Sequence, residues 1–149
     1  MDDLREGVRQ HARDACEGEN VEFLTIEQVK WLHEEAIRRC SPKESLAIRD
    51  RGLLESAVMS PQATWGGAFL YSSVVEMAAA YLISLNQNHA FENGNKRVAF
   101  SACSTFLRMN GLRLTLSQNE AVGITLAIAS HKMEREEAVA LLEGAVEPL

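Results

Sequence analysis

The stretch His89-Ala90-Phe91-Glu92-Asn93-Gly94-Asn95-Lys96-Arg97 decides the reading of this chain, because an imidazole stands just ahead of a helix start suited to anions. Apolar residues recur at helical spacing before it and again after it as far as Met109, which makes the stretch a loop between two core helices. A lone imidazole takes a proton near neutral pH. At Gly94-Asn95-Lys96-Arg97, free backbone N–H groups, the helix dipole and two cations converge. Gly94 lets the backbone approach a ligand closely, Arg97 offers a planar fork to phosphate oxygens, and Lys96 adds a point charge. A histidine alone at a helix end more often satisfies last-turn carbonyls. Two cations at a helix N-terminus, however, oppose the dipole, so function explains them better than stability does. A base beside a phosphate cradle points to a hydroxyl attacking a nucleotide. Phe91 reads as a plug under the loop, with no chemical role.

Outside this loop the residues exclude more than they assign. The 149 residues are 46% hydrophobic and 24% charged, which suits one globular domain with a real core. A net charge of -6 with scattered Lys and Arg argues against nucleic acid as a partner, so ligand phosphates must be met locally. The start, Met1-Asp2-Asp3-Leu4-Arg5-Glu6, has no apolar signal core. The longest apolar stretch, about residues 74–85, is interrupted by Glu76 and Ser84 and is too short for a bilayer. No membrane association and a cytoplasmic location are the expectation. Cys16, Cys40 and Cys103 are odd in number and lack metal-ligand spacing, which predicts reduced structural thiols. His33-Glu34 lacks the second histidine of a zinc-protease helix, and His11 and His131 have no partners at ligand spacing, so all are read as surface or core positions. There is no Walker loop and no serine-nucleophile elbow.

Periodicity predicts an all-α bundle. Leu4, Val8, Ala12 and Ala15 mark an appended helix within residues 1–20, and residues 21–149 form the main domain. Val21-Glu22-Phe23-Leu24 alternates like a short strand. Thr25 and Gln28 then make a capping box, with Ile26, Val29, Leu32, Ala36, Ile37 and Cys40 on one helix face. A shorter helix spans residues 52–60 before Pro61. Ser73 and Glu76 cap a helix that is apolar almost all round, hence central, and that delivers His89 to its end. The helix after the motif closes at Asn110-Gly111. Residues 112–116 alternate as a strand, Ser117 and Glu120 cap a helix to about residue 130, and residues 134–143 form the last helix. One or two minor strand pairs complete the bundle. Trp65-Gly66-Gly67-Ala68, a diglycine turn among aromatics, reads as a loop packed over the core.

The motif resembles the Fic/Doc signature, His-x-Phe-x-(Asp or Glu)-Gly-Asn-(Gly or Lys)-Arg, and Lys96 is similar to its Doc branch of toxins. Phe23-Leu24-Thr25 leading into a helix with His33-Glu34, then Arg49-Asp50-Arg51-Gly52-Leu53-Leu54-Glu55-Ser56-Ala57, and Phe106-Leu107-Arg108-Met109-Asn110-Gly111 also look like that family. The likeness covers about residues 21–145.

The resemblance implies a Fic/Doc-like helical bundle with a small β-hairpin or flap, and a transferase using ATP as substrate with Mg²⁺. His89 is then the catalytic base, and Gly94, Asn95, Lys96 and Arg97 hold the nucleotide phosphates. Trp65, Gly66, Gly67 and Ala68 become a flap whose backbone edge aligns a target peptide. Phosphate transfer to a Ser or Thr hydroxyl of a protein such as elongation factor Tu, blocking translation, is the implied chemistry. Adenylyl transfer by the same residues, and a weak nucleotide- or protein-binding module, are the alternatives. Two departures bear on the choice. Asn93 stands where the family has an acidic metal ligand, leaving Glu92 as the alternative carboxylate, and Phe100 stands where the longer Fic pattern has an Arg. Neither Glu143-Gly144 nor Glu19-Asn20 has the hydroxyl residue of a self-inhibitory helix, which predicts a separately encoded antitoxin that folds as a helix into a groove.

Overall fold

A computed structural model describes residues 20–149, so the helix expected within residues 1–20 falls outside the described residues apart from Asn20. Six α-helices follow: α1 Ile26–Cys40, α2 Arg51–Met59, α3 Val74–Gln87, α4 Asn95–Met109, α5 Gln118–Ala129 and α6 Arg135–Glu143. A 3-10 turn, Ser60–Gln62, continues α2 with Pro61 in its first turn. Two small antiparallel pairs complete the fold, β1 Thr64–Trp65 with β2 Ala68–Phe69, and β3 Leu112–Leu114 with β4 Val146–Pro148. The all-α expectation holds. No helix among the described residues is long and apolar enough to cross a membrane.

Helix starts lie where local chemistry dictates. Thr25 Oγ1 accepts the Gln28 N–H at 3.1 Å and Gln28 Oε1 accepts the Thr25 N–H at 2.8 Å, closing a reciprocal cap on α1. Ser117 and Glu120 close the same box on α5 at 3.2 and 3.1 Å. Asp50 caps α2 through the Leu53 N–H, and Ser73 caps α3 through the Glu76 N–H. Glu134, expected as the first residue of the last helix, is instead the residue that precedes it.

α3 is the central element. Val74, Val75, Met77, Ala78, Tyr81, Leu82 and Leu85 are buried, as its all-round apolar pattern requires, and α4 packs on it through Val98, Ala102 and Phe106. Both helices that flank the motif therefore belong to one core, and the loop between them is anchored at each end.

The expected strand at 21–24 does not form. Its burial alternates only over residues 21–23, Leu24 being buried as well, and its backbone is claimed by side chains from far along the chain. Asn110 Oδ1 accepts the Glu22 N–H at 3.0 Å, Asn110 Nδ2 donates to the Glu22 carbonyl at 2.9 Å, and the Tyr81 hydroxyl accepts the Leu24 N–H at 3.0 Å. Phe23 completes the attachment by packing against Phe69 and Phe106. The strand expected at 112–116 is shorter, and its partner is the C-terminal segment Val146–Pro148, with Arg113 ion-paired to Glu147.

Tyr81→Phe removes a buried acceptor and leaves the Leu24 N–H unsatisfied. It should lower stability by about 1–3 kcal/mol, read as a fall in Tm of roughly 3–10 °C. The phenol has a second signature. Burial, opposed by the bond to Leu24, raises the Tyr81 pKa from its ordinary 10.0 to about 12. The folded state then keeps a proton that the unfolded chain releases, so this stability is complete below pH 10.0 and is lost as pH rises toward about 12. Fully buried Cys103, also raised to about 12, acts with the same sign from pH 9.0 upward. Alkaline unfolding curves of Tyr81→Phe should therefore be shallower than wild type above pH 10.0, keeping only the Cys103 share there, and unchanged in slope below it.

Candidate active site

The motif loop folds around the Phe91 ring. Phe91 is 2% exposed and lies face to face with the His33 imidazole of α1, ring centroids 3.8 Å apart and planes 12° from parallel. The loop closes on itself through Asn95, whose Oδ1 accepts the Phe91 N–H at 3.1 Å and whose Nδ2 donates to the Phe91 carbonyl at 2.9 Å. The segment ahead of α2 seals the other side. Arg49 and Asp50 donate their N–H groups to the Ala90 carbonyl at 2.7 and 3.1 Å, and Glu92 donates to the Ala47 carbonyl at 3.1 Å. Ile48 and Phe91 pair as an isolated antiparallel bridge.

Held this way, the loop carries a histidine in a conformation that L-residues rarely adopt. His89 has φ 51° and an exposed side chain, one residue past the end cap of α3. Gly94 has φ 79°, and the space beside it is filled. A Cβ there would stand 2.8 Å from Ile37 Cδ1 and 3.3 Å from His33 Nε2. Glycine is thus required twice, by conformation and by packing.

The start of α4 differs from the other starts. Gly94 offers no side chain, no cap replaces it, and the first helical bond runs from Val98 N–H to the Gly94 carbonyl. The N–H groups of Asn95, Lys96 and Arg97 are therefore left unpaired by the helix, with Lys96 exposed beside them. This is an anion-binding geometry in its own right.

Of the predicted site residues, Gly94, Asn95 and Lys96 come together at this start. The Asn95 side chain is committed to Phe91, so its N–H remains for a ligand. Arg97 is directed elsewhere, donating to Ser41 Oγ at 2.8 Å and facing Glu44 at 3.4 Å. Both partners of that ion pair are 41% exposed, a setting in which such a pair contributes about 0–1 kcal/mol and yields readily to a stronger anion. Glu92 is exposed and Asn93 half-buried, with the Asn93 carbonyl accepting from His33 Nε2 at 2.7 Å. Among the described residues, no group of three or more His, Cys, Asp or Glu side chains is placed to hold a metal.

Trp65, Gly66, Gly67 and Ala68 form the predicted hairpin, with Trp65 opposite Ala68. Gly66 and Gly67 both have positive φ, 60° and 83°, the demand of a tight turn between twisted strands. Trp65 projects at 84% exposure.

The family model of the Fic/DOC family matches residues 23–107, which spans the caps of α1, α2 and α3, the central helix and the loop just described. The chain belongs to the Fic/DOC family. It is also 51% identical over 69 residues to the Toxin Doc of Mycolicibacterium smegmatis (strain ATCC 700084 / mc(2)155), a match covering 46% of this chain and 53% of that protein. The chain thus spans about half the length of the curated relative it matches.

Sequence reasoning assigned His33 to the surface or core, and it is a core residue; what that reasoning missed is its contact with the motif loop. His33 is 1% exposed, and burial pushes its imidazole below the ordinary histidine value, against the opposing pull of the Asn93 carbonyl and Glu34. Its sequence signals were the family likeness of the helix carrying His33-Glu34 and its place on the buried face of α1, between Val29, Leu32 and Ile37.

Gly94→Ala should cost at least ~1–2 kcal/mol from the left-handed backbone alone, before Ile37 and His33 are displaced. Asn95→Ala should cost a further ~1–3 kcal/mol by stripping both bonds from a buried Phe91 backbone. Urea midpoints of the two variants check this. Wild-type stability in either would contradict the loop geometry.

Proposed function

We propose that this chain is a Doc-like toxin that transfers the γ-phosphate of ATP to a Ser or Thr hydroxyl of a protein, with His89 as general base. The observation that carries the proposal is the exposed His89 at one end of a rigid loop whose other end is an uncapped, lysine-bearing helix start. In the reaction, the hydroxyl oxygen forms a bond to the γ-phosphorus as its proton passes to the His89 imidazole. The bond to ADP breaks, ADP leaves with that bonding pair, and His89 returns its proton to solvent. The N–H groups of Asn95, Lys96 and Arg97, with the Lys96 ammonium, bind the phosphates, and Arg97 joins them by leaving Glu44.

Mg²⁺ enters this reading on the nucleotide. Mg²⁺ commonly takes one or two protein oxygens and completes its octahedron with substrate phosphates and water, and the Asn93 amide and Glu92 carboxylate fit that modest share. When bound, the ion neutralises phosphate charge. The target is a folded translation protein of the elongation factor Tu kind, aligned by strand addition on the β1–β2 hairpin, with the chain acting in the cytoplasm. Its activity is held in check by a separately encoded antitoxin. An amphipathic helix of that partner would fill the apolar groove of about 590 Å³ that Trp31, Ala36, Phe100, Ala121, Val122 and Leu126 help to line between α1, α4 and α5.

Phe100 half-buried in that groove favours phosphate over adenylyl transfer, since an arginine of the longer Fic pattern is missing there. Adenylyl transfer would place attack on the α-phosphorus with pyrophosphate leaving. A binding module without turnover is the reading favoured by an amide at Asn93 in place of a carboxylate.

Mass spectrometry of a lysate incubated with the purified chain and ATP separates the three by a gain of phosphate, of AMP or of nothing. His89→Ala should abolish the modification, a loss of ~10²- to 10⁴-fold, without unfolding the chain. Lys96→Ala should weaken ATP binding by about 1.5–3 kcal/mol, whereas Glu44→Gln should strengthen it by releasing Arg97. Asn93→Asp should lower the Mg²⁺ concentration needed for half-maximal activity. If Glu92 is the ligand, Glu92→Gln should instead raise it. A Mg²⁺ requirement that neither variant moves would rule out the metal assignment at this loop.

A further inference from the structure

We propose that His33 is a positioning residue whose bond to the Asn93 carbonyl aims the Gly94 N–H at the anion bound by the start of α4. The inference rests on the phosphate-binding reading above and adds to it both a donor and the residue that directs that donor.

Asn93 and Gly94 share one peptide unit. No cis peptide bond occurs among the described residues, and in a trans peptide the carbonyl and the N–H point in opposite directions. Because His33 Nε2 lies 2.7 Å from the Asn93 oxygen, that oxygen is turned toward α1. The Gly94 N–H is consequently turned away from α1, and it meets no acceptor among the described residues. It lies next in the chain to the unpaired N–H groups of Asn95, Lys96 and Arg97, which adds a fourth donor at the site of developing phosphate contact.

Something has to choose this orientation. A peptide unit ending in glycine can rotate to its opposite face at little cost, because glycine accepts φ of either sign. At Gly94 the choice is made by a group that cannot move. The His33 ring is 1% exposed, stacked on the buried Phe91 ring, and so close to Gly94 that a Cβ would meet Nε2 at 3.3 Å. A carbonyl oxygen only accepts, so Nε2 carries the hydrogen. α1 thus fixes the ring, the ring fixes the carbonyl, and the carbonyl fixes the direction of the N–H.

Two substitutions separate this role from packing. His33→Phe keeps a ring against Phe91 and removes the donor. His33→Gln gives up the stack and keeps an amide nitrogen at a similar reach. The ¹⁵N-labelled chain is titrated with tripolyphosphate and with ATP, following the Gly94 amide signal, with binding constants measured in parallel. In the wild type the Gly94 signal should shift on saturation with either probe. In His33→Phe that shift should vanish and both affinities fall roughly tenfold or more. His33→Gln should recover most of the affinity and the shift, although it is the less well packed of the two. A packing role alone predicts the reverse order. The inference is overturned if Gly94 responds in His33→Phe as in the wild type, or if tripolyphosphate leaves the wild-type Gly94 signal unmoved. A His33-dependent Gly94 response in a chain that modifies no protein would leave this inference standing and remove the transferase reading.

Discussion

Burial of the Phe91 ring is the constraint on which the site depends. Sealing one aromatic side chain under a nine-residue stretch is worth about 1.5–3 kcal/mol from removal of apolar surface, and it acts where the chain has least reason to be ordered. Once the ring is in place, the polar backbone on either side of it must find partners in the interior. Asn95 meets Phe91, the segment at 47–50 meets Ala90 and Glu92, and His33 meets Asn93. Each bond is modest alone. Together they leave the loop little freedom, which explains how His89 holds φ 51° without being glycine. Such strain persists only where the surroundings over-determine it.

The same anchoring accounts for an apparent inconsistency in helix design. Four helices of the described chain begin with a side chain that accepts from the N–H of the third helical residue, and each suitable Thr, Asp or Ser stands at the right place. α4 begins instead with glycine, then Asn, Lys and Arg, an arrangement that forgoes a cap and sets cations against the dipole. A helix in the middle of the core tolerates this because its stability comes from Val98, Ala102 and Phe106 packing on α3 rather than from its ends. The free donors are therefore kept available by tertiary packing.

Caps were legible in the sequence because donor and acceptor sit three residues apart, as at Thr25 with Gln28, Ser73 with Glu76 and Ser117 with Glu120. The central place of α3 was legible too, since an all-round apolar helix has nowhere else to go. What escaped depends on partners distant in the chain. Residues 21–24 alternate as a strand does, yet their hydrogen bonds run to Tyr81 and Asn110, 57 and 88 residues away. No local pattern distinguishes that outcome from pairing with another strand. Val146–Pro148 was overlooked as the partner of Leu112–Leu114 for a related reason, since a three-residue strand containing proline carries almost no periodic signal.

The site divides along the same line. The close approach at Gly94 could be read from its residue type, as its packing against Ile37 and His33 bears out, whereas the directions of the other loop side chains could not be read. Asn95 serves the loop with its side chain and leaves only its N–H outward, and Arg97 rests on Ser41 and Glu44. Both facts follow from the loop being one side of a three-way junction with α1 and the segment before α2. An arginine stored on an exposed carboxylate remains near the site but uncommitted, and the exchange costs little because a surface ion pair contributes so little. Charge at this loop is therefore arranged in two ways, by backbone donors that packing holds in fixed directions and by a cation resting on an exposed carboxylate. Under the proposed phosphate transfer, that combination suits a ligand which must be gripped and then released.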